Sequence, residues 1–170
     1  HKDRWFVLVN PADGKHERVL HHIHDEAWFG GAGQAQGWLN ASWAEFLPDG
    51  ETLAITSEET GWAHLYLVKM DGTKQALTSG EWEIRNITRS NDGNSWWIMA
   101  GVEHPNELHL YELPLRGGTL TRINPPGEGE AQPTPSPDGT MLAYRWSTPT
   151  ELQDLYLMPR RAGAPATRIT

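Results

Sequence analysis

The sequence predicts an all-β chain in which one four-stranded antiparallel unit is used repeatedly, and three observations carry that reading. A short phrase recurs at constant spacing: His64-Leu65-Tyr66, His109-Leu110-Tyr111 and Asp154-Leu155-Tyr156 stand forty-five residues apart. Ahead of each lies an Asp-Gly pair (Asp49-Gly50, Asp92-Gly93, Asp138-Gly139), and behind each a short apolar-polar close (Leu77-Thr78, Ile123-Asn124, Ile169-Thr170). No stretch keeps the apolar spacing of an amphipathic helix for about ten residues together. A period of this length, with a tight turn and strand-like runs in each copy, is how a β-propeller looks in sequence.

The copy over 42–80 shows the elements in order. Trp43-Ala44-Glu45-Phe46 alternates apolar and polar residues, as a half-buried strand does. Pro48-Asp49-Gly50 supplies the turn, where glycine accepts a positive φ without a Cβ clash. Thr52 to Thr56 is the second strand, 57–61 a polar loop, and His64-Leu65-Tyr66-Leu67-Val68 the third strand. Asp71-Gly72 turns the chain again, and Lys74 to Thr78 makes the fourth strand. Residues 84–124 and 131–170 repeat this plan, the last copy opening on Pro135-Ser136-Pro137, where a sheet edge tolerates proline.

The beginning differs. Arg4 to Val9, the turn at Asp13-Gly14, and Glu17 to Ile23 read as only the last two strands of an incomplete blade over 1–24, with 25–41 as an inter-blade loop. The expected fold is therefore a partial β-propeller of about three and a half four-stranded antiparallel blades, and the chain is expected to be a piece of a longer protein.

Composition narrows the function classes. A formal charge of −8 with only 14 Lys and Arg speaks against binding a phosphate backbone, so no nucleic-acid partner is expected. No long apolar run spans a membrane, and the absence of cysteine rules out disulfides and thiol chemistry while leaving the compartment open, cytoplasmic or periplasmic. Nine tryptophans against three phenylalanines suit stacked sheets with large gaps to fill. Trp62, Trp82, Trp96, Trp97 and Trp146 are expected mostly in inter-blade packing, one or two of them exposed where a neighbouring blade is missing. Trp96 and Trp97 are consecutive on a strand, so they face opposite sides and cannot share one stacking surface.

The segment Ser57-Glu58-Glu59-Thr60-Gly61-Trp62-Ala63-His64-Leu65-Tyr66, followed by Leu77-Thr78-Ser79-Gly80-Glu81-Trp82-Glu83-Ile84, resembles a signature in the propeller of dipeptidyl peptidase IV-like serine peptidases, of the prolyl oligopeptidase group. Asp3-Arg4-Trp5, Asn10 to Lys15, Asp25-Glu26-Ala27-Trp28 and Ser136-Pro137-Asp138-Gly139 are similar to that family too. The resemblance implies the second half of a propeller that gates access to a C-terminal α/β-hydrolase domain carrying a Ser-Asp-His triad. It implies no cofactor, and a structural part for Ser57, Glu58, Gly61, Trp62, His64, Tyr66, Gly80 and Trp82. The family also holds a substrate amino terminus with adjacent glutamates in an earlier segment. Glu58-Glu59 sits in a different motif and is read as a loop pair, solvated or steadying the turn.

No catalytic residue is expected in this chain. A hydrolase nucleophile of that group needs a glycine-flanked serine on a strand-to-helix turn, and none of the seven serines lies in Gly-x-Ser-x-Gly. Substrate-binding residues are not legible.

Two further clusters carry chemistry-bearing or glycine-rich patterns. His21-His22-Ile23-His24-Asp25-Glu26 is the densest metal-capable run, with His22 and His24 on one strand face; a site needs a third ligand, so an exit strand is the preferred reading over metal binding. Gly30 to Gly37 lacks the flanking strand, helix and third glycine of a phosphate-cradling loop and reads as an inter-blade connection. The partners expected are the hydrolase domain of the parent chain and further copies of this one, since an unclosed propeller exposes blade faces. The competing reading is a stand-alone propeller scaffold that binds a protein or peptide.

Overall fold

The computed structural model describes residues 2–26, 43–124 and 130–170. The loop expected over 25–41, including Gly30 to Gly37, lies almost wholly outside the described residues. Every regular element described is a β-strand. They are β1 (Asp3–Val9), β2 (His16–His24), β3 (Ala44–Phe46), β4 (Thr52–Ser57), β5 (His64–Lys69), β6 (Lys74–Ala76), β7 (Ile84–Arg89) and β8 (Ser95–Ala100). After them come β9 (His109–Pro114), β10 (Thr121–Arg122), β11 (Glu130–Pro135), β12 (Met141–Thr148), β13 (Glu151–Pro159) and β14 (Thr167–Arg168). They form the two-stranded sheet β1–β2 and three antiparallel meanders, β3 to β6, β7 to β10 and β11 to β14. Consecutive strands pair in each, so every connection is a local hairpin.

The chain divides into two compact units, His1–Gly80 and Glu81–Thr170. In the first, Leu20 on β2 meets Leu53, Ile55, Tyr66 and Val68 of β4 and β5, with Phe6 and Leu8 of β1 packed alongside. Alternation assigns the faces: Phe6 and Leu8 turn toward that core, while Trp5, Val7 and Val9 on the same strand are exposed. In the second unit, Trp97 and Met99 of β8 pack with Leu110, Ile123, Leu142, Tyr144 and Met158. Trp96 points the other way, fully buried, and its indole N–H donates to the Leu115 carbonyl at 2.9 Å. Arg160 joins the two sheets of this unit, lying over the Trp97 ring and reaching Glu112 at 3.3 Å.

The Asp-Gly turns share one chemistry. Gly50, Gly93 and Gly139 hold φ near +70° (69°, 73° and 70°), a conformation that costs glycine little. The preceding aspartate folds back: Asp49 accepts the N–H of Glu51, Asp92 that of Asn94 and Asp138 that of Thr140. Ser90 and Ser136 each donate to the turn aspartate two residues on, at 2.6 Å, and each accepts the N–H of the next strand.

Candidate functional site

The repeated phrase proves to be the near end of a latch. His64 opens β5 and is buried, and Thr78 lies just past the end of β6. Thr78 Oγ1 accepts the Leu65 N–H at 2.9 Å and stands 3.0 Å from His64 Nδ1, while His64 Nε2 is 3.0 Å from the Gly80 carbonyl. A carbonyl only accepts, so Nε2 carries a proton, and in the neutral ring that burial favours Nδ1 accepts from Thr78. Burial, opposed by the Gly80 bond, pushes the His64 pKa down. In the next copy Asn124 plays the threonine's part: its Oδ1 accepts the Leu110 N–H at 2.9 Å and its Nδ2 donates to His109 Nδ1 at 3.2 Å. His109 Nε2 then donates to Glu107 at 2.7 Å. In the last copy Thr170 accepts the Leu155 N–H at 2.9 Å and donates to Asp154 at 3.3 Å.

Of the signature residues, Ser57, His64 and Tyr66 are buried and Trp82 is half-buried. Gly61 holds φ +88° in the β4–β5 loop, and Gly80 supplies the carbonyl of the latch. Trp62 is 40% exposed, and so is not one of the rings that pack between sheets: it stands on the loop rather than on a strand. Glu59 is not simply solvated. It pairs with Lys74, whose ammonium lies over the Tyr66 ring.

An open cleft of about 490 Å³ lies in the first unit, lined by His22, Ile23, His24, Asp25, Glu58, Glu59 and Gly61. Behind it His21 Nε2 is 2.8 Å from Ser57 Oγ, and His21 Nδ1 is 3.9 Å from Glu59 Oε2. The order serine, histidine, carboxylate mimics a triad, but the parts are wrong for one. Ser57 is only 2% exposed, Glu59 is held by Lys74, and 3.9 Å is too long for the orienting hydrogen bond. Burial and then the Lys74 charge push the His21 pKa down.

On the opposite face of β2, His22 and His24 turn to β1. Asp3 Oδ1 accepts from His22 Nε2 at 2.8 Å and from His24 Nδ1 at 2.9 Å. The Trp5 ring stacks on His22, with centroids 3.6 Å apart. His24 Nε2 reaches Glu26 at 3.1 Å, and Glu26 also pairs with Lys2 at 2.8 Å. Among the described residues no three His, Asp or Glu side chains stand in metal-holding geometry. Strand alternation placed the two imidazoles on one face, but the cross-strand partner Asp3 was out of reach of sequence spacing.

Three of the four sheets carry this latch, and the β1–β2 sheet does not. The family description "Dipeptidyl peptidase IV (DPP IV) N-terminal region" matches residues 1–153.

The chain belongs to the dipeptidyl peptidase IV N-terminal-region family.

A probable dipeptidyl peptidase 4 of Aspergillus fumigatus is 30% identical over 145 residues, 79% of this chain and 19% of that protein. The dipeptidyl peptidase 4 of Arthroderma otae is 33% identical over 69 residues, covering 39% of this chain and 9% of its own length. The crystal structure of Porphyromonas gingivalis dipeptidyl peptidase 4 superposes with a TM-score of 0.70 at 18% identity, over 98% of this chain and 22% of that one. That likeness gives the fold, a partial β-propeller. The chain thus spans about one fifth of the relatives it matches (19% and 22%). No helix among the described residues is long and apolar enough to cross a membrane.

Proposed function

We propose that this dipeptidyl peptidase IV N-terminal-family chain is a non-catalytic propeller segment of a serine exopeptidase, gating substrate access and packing on a hydrolase domain. The observation that carries the reading is the family match over 1–153, together with relatives named dipeptidyl peptidase 4. Residues 42–80, 84–124 and 131–170 would each be one blade, and 1–24 the last two strands of another. The three latches support that division, since each ties the third strand of a sheet to the chain beyond its fourth.

Catalysis would fall to other parts of the parent protein. The Ser57–His21 pair is sealed from solvent, and no serine here has the glycine-flanked nucleophile context. The exposed apolar residues of β1 and β13, Trp5, Val7 and Val9 on one and Leu155 and Leu157 on the other, support covering by further blades or by another copy. The test is turnover of a chromogenic dipeptidyl amide by the protein encoded by the complete gene. Activity that disappears when a Gly-x-Ser-x-Gly serine outside this segment becomes alanine supports the reading. A complete protein with no such serine and no turnover would leave the stand-alone scaffold instead.

A further inference from the structure

The clasp at the open end of the β1–β2 hairpin holds more hydrogen bonds than a neutral histidine can make. His24 faces a carboxylate at each ring nitrogen, Asp3 Oδ1 at Nδ1 and Glu26 Oε1 at Nε2. Ionised carboxylates only accept, so both contacts exist together only when both nitrogens bear protons. The neutral ring has one N–H and must give up one partner. We propose that His24 is a proton-operated clasp, tying Asp3 and Glu26 together when protonated and releasing one of them when it is not, and so setting whether the cleft wall at His24 and Asp25 is held against β1.

The surroundings make the device specific to His24. Among the described residues His22 has one carboxylate partner, again Asp3, and is pinned by the Trp5 ring. Lys2 holds the other side of Glu26, and the Asp25 N–H donates to the Lys2 carbonyl at 2.9 Å, closing the hairpin end. Asp25, Glu58 and Glu59 line the cleft with His24, Glu59 being paired with Lys74, while Arg4 lies within the field of Glu58 on the other face of β1. The bonds to Glu26 and then Asp3 push the His24 pKa up, and those to the imidazoles push Asp3 down. The clasp is therefore complete at mildly acidic pH, above the lowered carboxylate range, and opens as pH rises through the raised His24 pKa.

Peptidase activity plays no part in the test. Histidine-selective NMR of the full 170-residue chain is titrated alongside amide exchange at Asp25. His24 should titrate above the ordinary histidine value of 6.5, and D3N and E26Q should each lower that midpoint. Asp25 protection, corrected for intrinsic exchange, should fall through the same midpoint and lose that pH step in H24Q. A His24 midpoint at or below the ordinary value would overturn the proposal. So would an Asp25 step that persists in H24Q.

Discussion

Thr78 and His64 hold each other in one protonation state: the threonine hydroxyl takes the Leu65 N–H at 2.9 Å and gives its own proton to His64 Nδ1 at 3.0 Å. The ring, thereby fixed as the Nε2–H tautomer, donates to the Gly80 carbonyl. One hydroxyl and one imidazole thus satisfy a backbone donor and a backbone acceptor past the end of a short edge strand, where the ladder no longer can.

Thr78→Val should therefore destabilise the chain by about 1–3 kcal/mol, because it takes the acceptor from the buried Leu65 N–H. Thr78→Ser keeps the hydroxyl and should stay closer to wild type. Denaturant midpoints of the two variants decide; a larger loss in Thr78→Ser than in Thr78→Val would mean that packing of the methyl group matters more than the bonds.

Trp97→Ala should cost about 3–5 kcal/mol, the usual penalty for truncating a core aromatic, since the ring is 4% exposed and packed among Met99, Leu110 and Leu142. Trp62, 40% exposed on its loop, should cost far less as alanine. Thermal or urea melts that rank the two the other way round would place Trp62 against a surface it does not meet here.

Acidification should weaken the fold before the carboxylates titrate. His21 and His64 are both buried with pKa values pushed below 6.5, chiefly by desolvation. The unfolded chain binds protons first, so this stability is present above the ordinary histidine value and drains away as pH falls below it. Urea midpoints between pH 7 and pH 5 should slope downward, and less so in a His21→Gln/His64→Gln double variant. An unchanged slope in that variant would assign the effect to other groups.

The isolated chain should hydrolyse no peptide or ester, and Ser57→Ala should change nothing in such an assay. Turnover of a dipeptidyl reporter by pure chain, lost in Ser57→Ala, would mean that the buried Ser57–His21 pair opens to substrate.

Self-association is the expected outcome for the chain alone. Trp5, Val7, Val9 and Val19 on the β1–β2 sheet, and Leu155, Leu157 and Ile169 on the last sheet, are all more than a third exposed. Apolar groups set side by side on a sheet face mark contact surfaces. Light scattering at micromolar concentration should report dimers or larger species; a clean monomer would contradict the argument. Trp5→Lys, which charges one of these faces, should lower the apparent mass.

The sequence by itself determined the strands, their order and the turns between them, because each depends on neighbours in the chain. Alternation places side chains on two faces, and Asp-Gly closes a hairpin whatever lies around it. The forty-five-residue spacing of His64, His109 and Asp154 carried the repeat in the same way, while the resemblance to the family lay in the Ser57–Ile84 segment. What those residues do was decided only by folding. The latch joins His64 to Thr78, fourteen positions on; the clasp joins Asp3 to His24 across a hairpin; and His21 meets Ser57 thirty-six positions away. A histidine's proton count depends on which acceptors reach its two nitrogens and on how much water remains, and both are properties of tertiary packing rather than of spacing along the chain.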